Sequence, residues 1–219
     1  MNYRLTTILT VLTLCLFISA GCDATENKSD KATIGQEAPG FSGLVGVDDH
    51  KQGLSDFKEA KAVVVIFTCN HCPVAKAYED RIIAIAEDYK DKGVQVVAIN
   101  SNSPKKQPQD SLEKMKLRAA AKDLGDWRSD KKAFNFPYLV DATQEVARAY
   151  GATCTPHVFL LDKNRKIVYT GAIDDNIAAK KVKEHYLCDA LDAVLADKKP
   201  PKSVTKQFGC GIKWEKPKK

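Results

Sequence analysis

The chain has 219 residues, with 34 Lys and Arg against 28 Asp and Glu, and its formal net charge is +6. This length suits a single domain with a sizeable core, once the two ends are set aside. Much of the excess charge is lysine at the C-terminal end, which contains only two aromatic residues, Phe208 and Trp214, so nucleic-acid binding is not expected. We expect residues 197–219 to form a solvated basic tail that carries Cys210, with weak attraction to an anionic membrane surface as the alternative.

The N-terminal end has the pattern of a secretory signal over residues 1–21. Arg4 precedes an apolar run that is too short to span a membrane, and small residues follow it. Cys22 then resembles the lipidated cysteine of a bacterial lipoprotein, and residues 22–33 have the polar composition of a flexible tether. We therefore expect an exported protein, lipid-anchored at the periplasmic face of a bacterial membrane. The alternative is a soluble periplasmic or secreted protein.

Between the ends, residues 34–196 alternate strand and helix patterns. A hairpin extension is expected at 44–54, turning around Asp48 and Asp49. Strands are expected at 63–67, 94–99, 138–140, 158–161 and 166–170. Helices are expected at 73–90, 111–122 (with Asp110 or Ser111 as cap), 143–150 and 176–196. This order predicts an α/β fold with helices on both faces of a central sheet, which the late hairpin makes mixed.

The pattern Cys69-Asn70-His71-Cys72 stands between a buried strand and a helix. A thiol at a helix N-terminus meets unpaired N–H groups and the positive end of the dipole, which favour its thiolate. We expect Cys69 to be the exposed nucleophile and Cys72 the resolving thiol that releases a mixed disulfide. An imidazolium at His71 would stabilise the thiolate further.

The structural alternative for this pair is half of a zinc site. Zinc requires two more ligands, and Cys154, His157 and Cys210 are the candidates. We favour redox chemistry and expect no bound metal and no cofactor.

Several motifs resemble those of the thioredoxin superfamily, and within it the peroxiredoxin-like, redoxin-domain group of bacterial proteins. They are Cys69-x-x-Cys72-Pro73, Phe136-Pro137-Tyr138-Leu139, Cys154-Thr155-Pro156 and Cys210-Gly211-Ile212-Lys213-Trp214. The resemblance implies a thioredoxin-like fold with a cis-proline at Thr155-Pro156 facing the cysteines. A cis peptide there would leave neighbouring backbone groups free to pair with an extended substrate chain.

The remaining cysteines have other expected roles. Of seven in the chain, Cys15 would leave with the signal. Cys154 and Cys210 are expected to pair as a structural clamp, with Cys210 as an extra resolving thiol as the alternative. Cys188 is expected to be a buried free thiol in the last helix.

The sequence also departs from better-known relatives. It has no acid beside the strand before Cys69, where thioredoxins keep a buried carboxylate, and Glu79 is a weak substitute two turns beyond Cys72. Thr68 matches part of the peroxiredoxin pattern, but its upstream proline is absent.

These features predict an exported thiol–disulfide oxidoreductase that acts on protein cysteines and exchanges electrons with an unidentified donor. A thiol peroxidase is the alternative enzyme. A copper or other metal carrier that uses His71 or His157 is the alternative of another class.

Overall fold

The computed structural model describes residues 32–122 and 132–216. The expected signal peptide, Cys22 and most of the expected tether therefore lie outside the described residues. The strands are β1 Leu44–Gly46, β2 Lys51–Gln52, β3 Ala62–Phe67, β4 Val94–Asn100, β5 Tyr138–Val140, β6 Cys154–Thr155, β7 His157–Leu161, β8 Ile167–Gly171 and β9 Cys210–Gly211. The helices are α1 Pro73–Lys90, α2 Leu112–Ala119, α3 Glu145–Tyr150 and α4 Tyr186–Leu195. In the described ranges, none of them has the length and apolarity needed to cross a membrane.

Seven strands form one mixed sheet in the order β2-β1-β5-β4-β3-β7-β8. Strands β3, β4 and β5 run parallel, whereas β7, β8 and the β1–β2 hairpin join antiparallel. The hairpin, the mixed sheet and the thioredoxin-like α/β architecture are thus confirmed. Strands β6 and β9 form a separate two-stranded ribbon that the sequence did not reveal.

Strand β3 lies at the centre of the sheet and is buried on both faces. Its alternate residues enter different cores: Val64 and Ile66 pack with α1 and α4, whereas Val65 and Phe67 pack with α3. This double burial explains the uninterrupted apolar run in the sequence. The strand ends directly before Thr68 and Cys69, so it fixes the position of the dithiol motif.

The expected long helix over 176–196 was wrong in its first half. Only a single 3-10 turn, Ala179–Lys181, precedes α4, which begins at Tyr186. The carboxylate of Asp175 accepts hydrogen bonds from the amides of Lys183 and Glu184, which holds this segment in a non-helical path. The segment also lacks an apolar face that helix packing would bury.

The C-terminal segment was expected to be a solvated tail, and this was wrong for residues 203–215. The amide of Thr170 donates to Ser203 O at 3.0 Å, and the amide of Lys213 donates to Asn102 Oδ1 at 2.7 Å. Ile212 is buried in the core on the α3 side of the sheet. We call residues 203–215 the docked tail, because backbone hydrogen bonds and apolar contacts attach it to the domain.

Candidate functional site

The two cysteines of the motif lie where strand β3 gives way to helix α1. Cys72 is the N-cap residue of α1 and Pro73 is its first residue, a position in which proline costs no hydrogen bond. Cys69 is 2% exposed and Cys72 is fully buried. The expectation that Cys69 is exposed was therefore wrong, since other parts of the chain cover it.

Thr155 lies directly against the pair, and its peptide bond to Pro156 is cis, as the resemblance implied. The Thr155 hydroxyl lies 3.0 Å from Cys69 Sγ, and the Thr155 carbonyl oxygen lies 3.3 Å from Cys72 Sγ. One residue thus contacts both sulfurs, through its side chain and its backbone.

The backbone around the cis bond is not free for a substrate, contrary to expectation. Strand β6, which contains Cys154 and Thr155, pairs antiparallel with β9 of the docked tail. Cys210 stands opposite Thr155, and Gly211 opposite Cys154. The tail therefore occupies the edge at which an extended substrate chain was expected to bind.

A buried carboxylate lies on the other side of the motif and was missed by the sequence analysis. Asp110 Oδ1 accepts from the Asn70 amide at 2.7 Å, and Oδ2 lies 2.6 Å from His71 Nδ1. Asn102 also donates to Oδ2, at 3.0 Å. Asp110 precedes α2, where Ser111 is the helix cap, and its 3-10 turn directs it inward. Because it approaches from a loop 39 residues beyond His71, no local spacing could reveal it.

His71 thus hydrogen-bonds to the Asp110 carboxylate instead of facing solvent. Its side chain is 8% exposed, and its Nε2 is buried without a hydrogen-bond partner among the described residues. Ligating atoms of Cys69, His71 and Asp110 all lie within 4.8 Å of one another. This triad joins a thiol, an imidazole and a carboxylate in one buried cluster.

Glu79, the carboxylate considered as a substitute proton acceptor, does not belong to this cluster. Its carboxylate binds the Arg118 guanidinium of α2, with Nε at 2.5 Å and Nη2 at 3.0 Å. Both side chains are buried. Glu79 therefore ties α1 to α2, and that role replaces the one expected for it.

The electrostatics of the two thiols differ from the expectation that Cys69 ionises first. Burial raises the pKa of Cys69 well above its ordinary value, and hydrogen bonding with Cys72 and the charge of Asp110 add to the rise. Hydrogen bonding from Cys69 lowers the pKa of Cys72 to about 4, against the effect of burial, and Cys210 contributes in the same direction. Both directions favour Cys72 as the site of the first negative charge of the reduced pair, with Cys69 as its hydrogen-bond donor.

The five cysteines in the described ranges are free thiols, so the expected Cys154–Cys210 clamp is absent. In an antiparallel pair, directly opposite residues share a face and neighbours along a strand do not. Cys210 is opposite Thr155, so it shares that face, whereas Cys154 is on the other one. Cys210 instead contacts the Cys69–Cys72 cluster. Its burial, with the neighbouring Cys72, raises its pKa to about 11.

Two other residues named from the sequence lie outside the site chemistry. His157 stacks on Phe159, and its Nε2 lies 3.1 Å from Thr170 Oγ1. Burial lowers the pKa of His157 to about 4, so it is a neutral packing residue. Cys188 is half-buried in α4, where its carbonyl oxygen lies 3.4 Å from the Tyr89 hydroxyl.

Comparison with known proteins places this geometry in a family. The model of the family described as Redoxin matches residues 33–185, most of the chain. The chain belongs to the Redoxin family. Its matched region contains Cys69, Cys72, Asp110 and Pro156, whereas the docked tail lies beyond it.

Curated relatives of this redoxin carry the name thiol-disulfide oxidoreductase ResA. The protein of Geobacillus thermodenitrificans is 26% identical over 184 residues, which cover 80% of this chain and 91% of the relative. That of Geobacillus kaustophilus is 28% identical over 145 residues, covering 64% of this chain and 71% of the relative.

Two solved structures resemble the redoxin more closely in sequence. A conserved protein of Geobacillus kaustophilus is 40% identical, with a TM-score of 0.74 over 85% of this chain and 94% of that one. A protein of Sinorhizobium meliloti is 36% identical, with a TM-score of 0.75 over 84% of this chain and 96% of that one. Both alignments extend over more than four-fifths of this chain.

Proposed function

We propose that this redoxin is an exported thiol–disulfide oxidoreductase that uses Cys69 and Cys72 as a dithiol–disulfide switch on protein cysteines. The observation that carries the proposal is the contact of both sulfurs with Thr155, beside a cis-proline and at the start of a helix. The family and the names of the curated relatives support the oxidoreductase class. Membrane anchoring through Cys22 and the identity of the electron donor belong to the same proposal.

The two thiols have complementary electrostatic roles in this switch. A thiolate at Cys72 and a thiol at Cys69 share hydrogen bonding in the reduced state. When Cys69 reacts, its proton has two acceptors nearby, the Cys72 thiolate and the His71–Asp110 pair. Oxidation joins Cys69 to Cys72, passes two electrons to the partner, and releases the one remaining thiol proton to the partner or to solvent.

The test is reduction of insulin disulfides and trapping of mixed disulfides with Cys69→Ser and Cys72→Ser. Both variants are expected to lose turnover, because each removes one sulfur of the pair. Cys188→Ser is the matched control, since its sulfur lies in α4, and it should retain wild-type activity. Full activity in Cys69→Ser would contradict the proposal.

A second candidate, metal binding, is supported by the clustering of Cys69, His71 and Asp110. Thiolate, imidazole and carboxylate together suit a borderline-soft ion such as Zn²⁺ or Cu²⁺. Titration of the reduced protein with Co²⁺ would reveal thiolate coordination through a charge-transfer absorption band. The Asp110→Asn variant should weaken that band if all three groups are ligands.

Export and lipidation are tested by expressing the full-length chain in bacterial cells. Mass spectrometry of the mature protein should find an N-terminus at Cys22 with added acyl mass. Cys22→Ala should abolish that modification and release the protein from the membrane fraction. A mature protein that begins elsewhere and lacks acyl groups would favour a soluble exported form.

A further inference from the structure

The dithiol that carries the proposed function is covered. Cys69 is 2% exposed and Cys72 is not exposed at all, so an incoming protein sulfur cannot reach either atom in this structure. In-line attack on a disulfide requires open approach to one of its sulfurs. Cys210 of the docked tail contacts this cluster and is itself partly exposed.

The contact of Cys210 with the pair is built into the fold. Gly209 has a φ of +154°, and a Cβ there would lie 2.0 Å from the Thr155 carbonyl oxygen. The amide of Ile212 donates to Thr153 O at 3.3 Å, and that of Lys213 to Asn102 Oδ1 at 2.7 Å. The tail is thus attached after Cys210 and passes very close to the cis-proline loop just before it.

We propose that Cys210 is a third redox-active cysteine, which passes a disulfide between the buried Cys69–Cys72 pair and a thiol outside the protein. The proposal rests on the proposed function, because it requires that Cys69 and Cys72 form a reversible disulfide. It adds the route by which that disulfide reaches a macromolecular partner.

Each step of the relay is a thiol–disulfide exchange that conserves electrons. The Cys210 thiolate attacks Cys72 Sγ of the Cys69–Cys72 disulfide, the Cys72–Cys210 bond forms, and Cys69 leaves as a thiolate. A partner thiolate then attacks Cys210 Sγ, and Cys72 leaves. A second partner thiolate attacks the partner sulfur and releases Cys210. The partner has lost two electrons to the redoxin, its two thiol protons pass to the released thiolates or to solvent, and the reverse sequence reduces a partner disulfide.

The electrostatics favour two of these events, the attack by Cys210 and the later departure of Cys72. Burial raises the pKa of Cys210, and hydrogen bonding to Cys72 and the charge on Cys72 raise it further. The last two effects disappear once Cys72 is in a disulfide, so Cys210 ionises more readily when it must attack. Cys72, with its pKa lowered to about 4, is a good leaving group when the partner attacks Cys210.

The first experiment asks whether the Cys72–Cys210 bond forms. Cys69→Ser, with Cys210 intact, is oxidised with diamide, quenched in acid and mapped by mass spectrometry. A Cys72–Cys210 peptide is expected, and it should be absent from Cys69→Ser/Cys210→Ser. Absence of the peptide in Cys69→Ser overturns the relay.

The second experiment measures the rate at which oxidised full-length protein is reduced. Reduced thioredoxin serves as a protein dithiol and dithiothreitol as a small one. Cys210→Ser should slow the reaction with thioredoxin about tenfold or more and change the reaction with dithiothreitol much less. Cys188→Ser should match the wild type with both. A thioredoxin rate in Cys210→Ser and Cys210→Ala within about twofold of wild type overturns the relay.

The third experiment tests whether the docked tail covers the Cys69–Cys72 pair, and it compares two glycine variants. Gly209→Ala places a Cβ against the Thr155 carbonyl, whereas a Cβ at Gly211 has its nearest neighbour at 3.9 Å. Alkylation of Cys69 by a bulky maleimide should be about tenfold faster in Gly209→Ala than in Gly211→Ala. If Cys69 of the wild type is alkylated as fast as Cys69 of Gly209→Ala, the Cys69–Cys72 pair is already open to reagents, and the relay is overturned.

The two levels of the proposal fail differently. Wild-type protein that forms no Cys69–Cys72 disulfide refutes the switch and the relay together. Wild-type protein that forms this disulfide, and loses activity in Cys69→Ser but not in Cys210→Ser, refutes the relay alone.

Discussion

Two buried carboxylates lie near the dithiol, and they are used differently. Glu79 is bound by the guanidinium of Arg118, which donates two hydrogen bonds to its carboxylate. Asp110 is bound by an amide, the Asn102 side chain and His71, whose ring nitrogens can donate or accept a hydrogen bond. The acid paired with arginine serves the scaffold, whereas the acid paired with histidine faces the reacting sulfur.

The largest expected effect is a loss of protein stability when Glu79 is replaced. Glu79→Gln leaves the buried Arg118 without its counter-charge, and the free energy of unfolding should fall by about 3–5 kcal/mol. Urea denaturation of the reduced protein at neutral pH measures it. The double variant Glu79→Met/Arg118→Met should recover most of the loss. Unchanged stability in Glu79→Gln would show that the pair does not tie α1 to α2.

Asp110→Asn is expected to cost less stability and to change the thiol chemistry more. The neutral amide retains part of the hydrogen bonding, so the loss should be about 1–3 kcal/mol. Removing the negative charge that raises the pKa of Cys69 should shift its ionisation to lower pH. The far-ultraviolet thiolate absorbance, followed against pH, reports this shift.

Glu79→Gln is the control for that titration, because Glu79 is not among the principal groups that shift the pKa of Cys69. The contrast between the two acids fails if both variants move the thiol titration equally. It also fails if neither variant moves it.

The pH dependence of stability should sharpen the contrast further. The pKa of Cys72 is lowered to about 4 in the folded state, and an unfolded cysteine ionises near pH 8.5. The contribution of Cys72 to the free energy of unfolding is therefore complete above about pH 8.5 and is lost as the pH falls toward about 4. The slope of the free energy of unfolding against pH should stay below about 1.4 kcal/mol per pH unit.

Denaturation of the reduced protein across that range measures the slope, and Cys72→Ser should remove it. The oxidised protein should also lack it, since a disulfide has no proton to bind. A slope of the opposite sign would place the first charge on another group.

The sheet and the first helices were predictable because their signals are local. Five consecutive apolar residues gave strand β3, and an apolar face closed by Gly93 gave helix α1 with its observed limits. The dithiol motif could be placed between them for the same reason. The cis bond at Pro156 followed from family resemblance rather than from any property of the residue itself.

The parts that escaped prediction depend on contacts between distant segments. Asp110 reaches His71 from a loop after β4, and Cys210 reaches Cys72 from the end of the chain. The lysines of the tail suggested that it is solvated. Two other residues hold it on the domain, since Gly209 allows a close approach to Thr155 and Ile212 is buried in the core. Exposure of Cys69 was wrongly predicted for this reason, since what covers it is far away in sequence.

The docked tail lies late in the chain, so it is synthesised after the segments that form the dithiol site. Residues 203–215 leave the ribosome after every strand of the main sheet, and after α1 with its two thiols. Until they arrive, the nascent domain displays an uncapped dithiol to any oxidant it meets. Closure of the reactive centre therefore follows synthesis of the main sheet, and a chain that stops before residue 203 carries an unguarded dithiol.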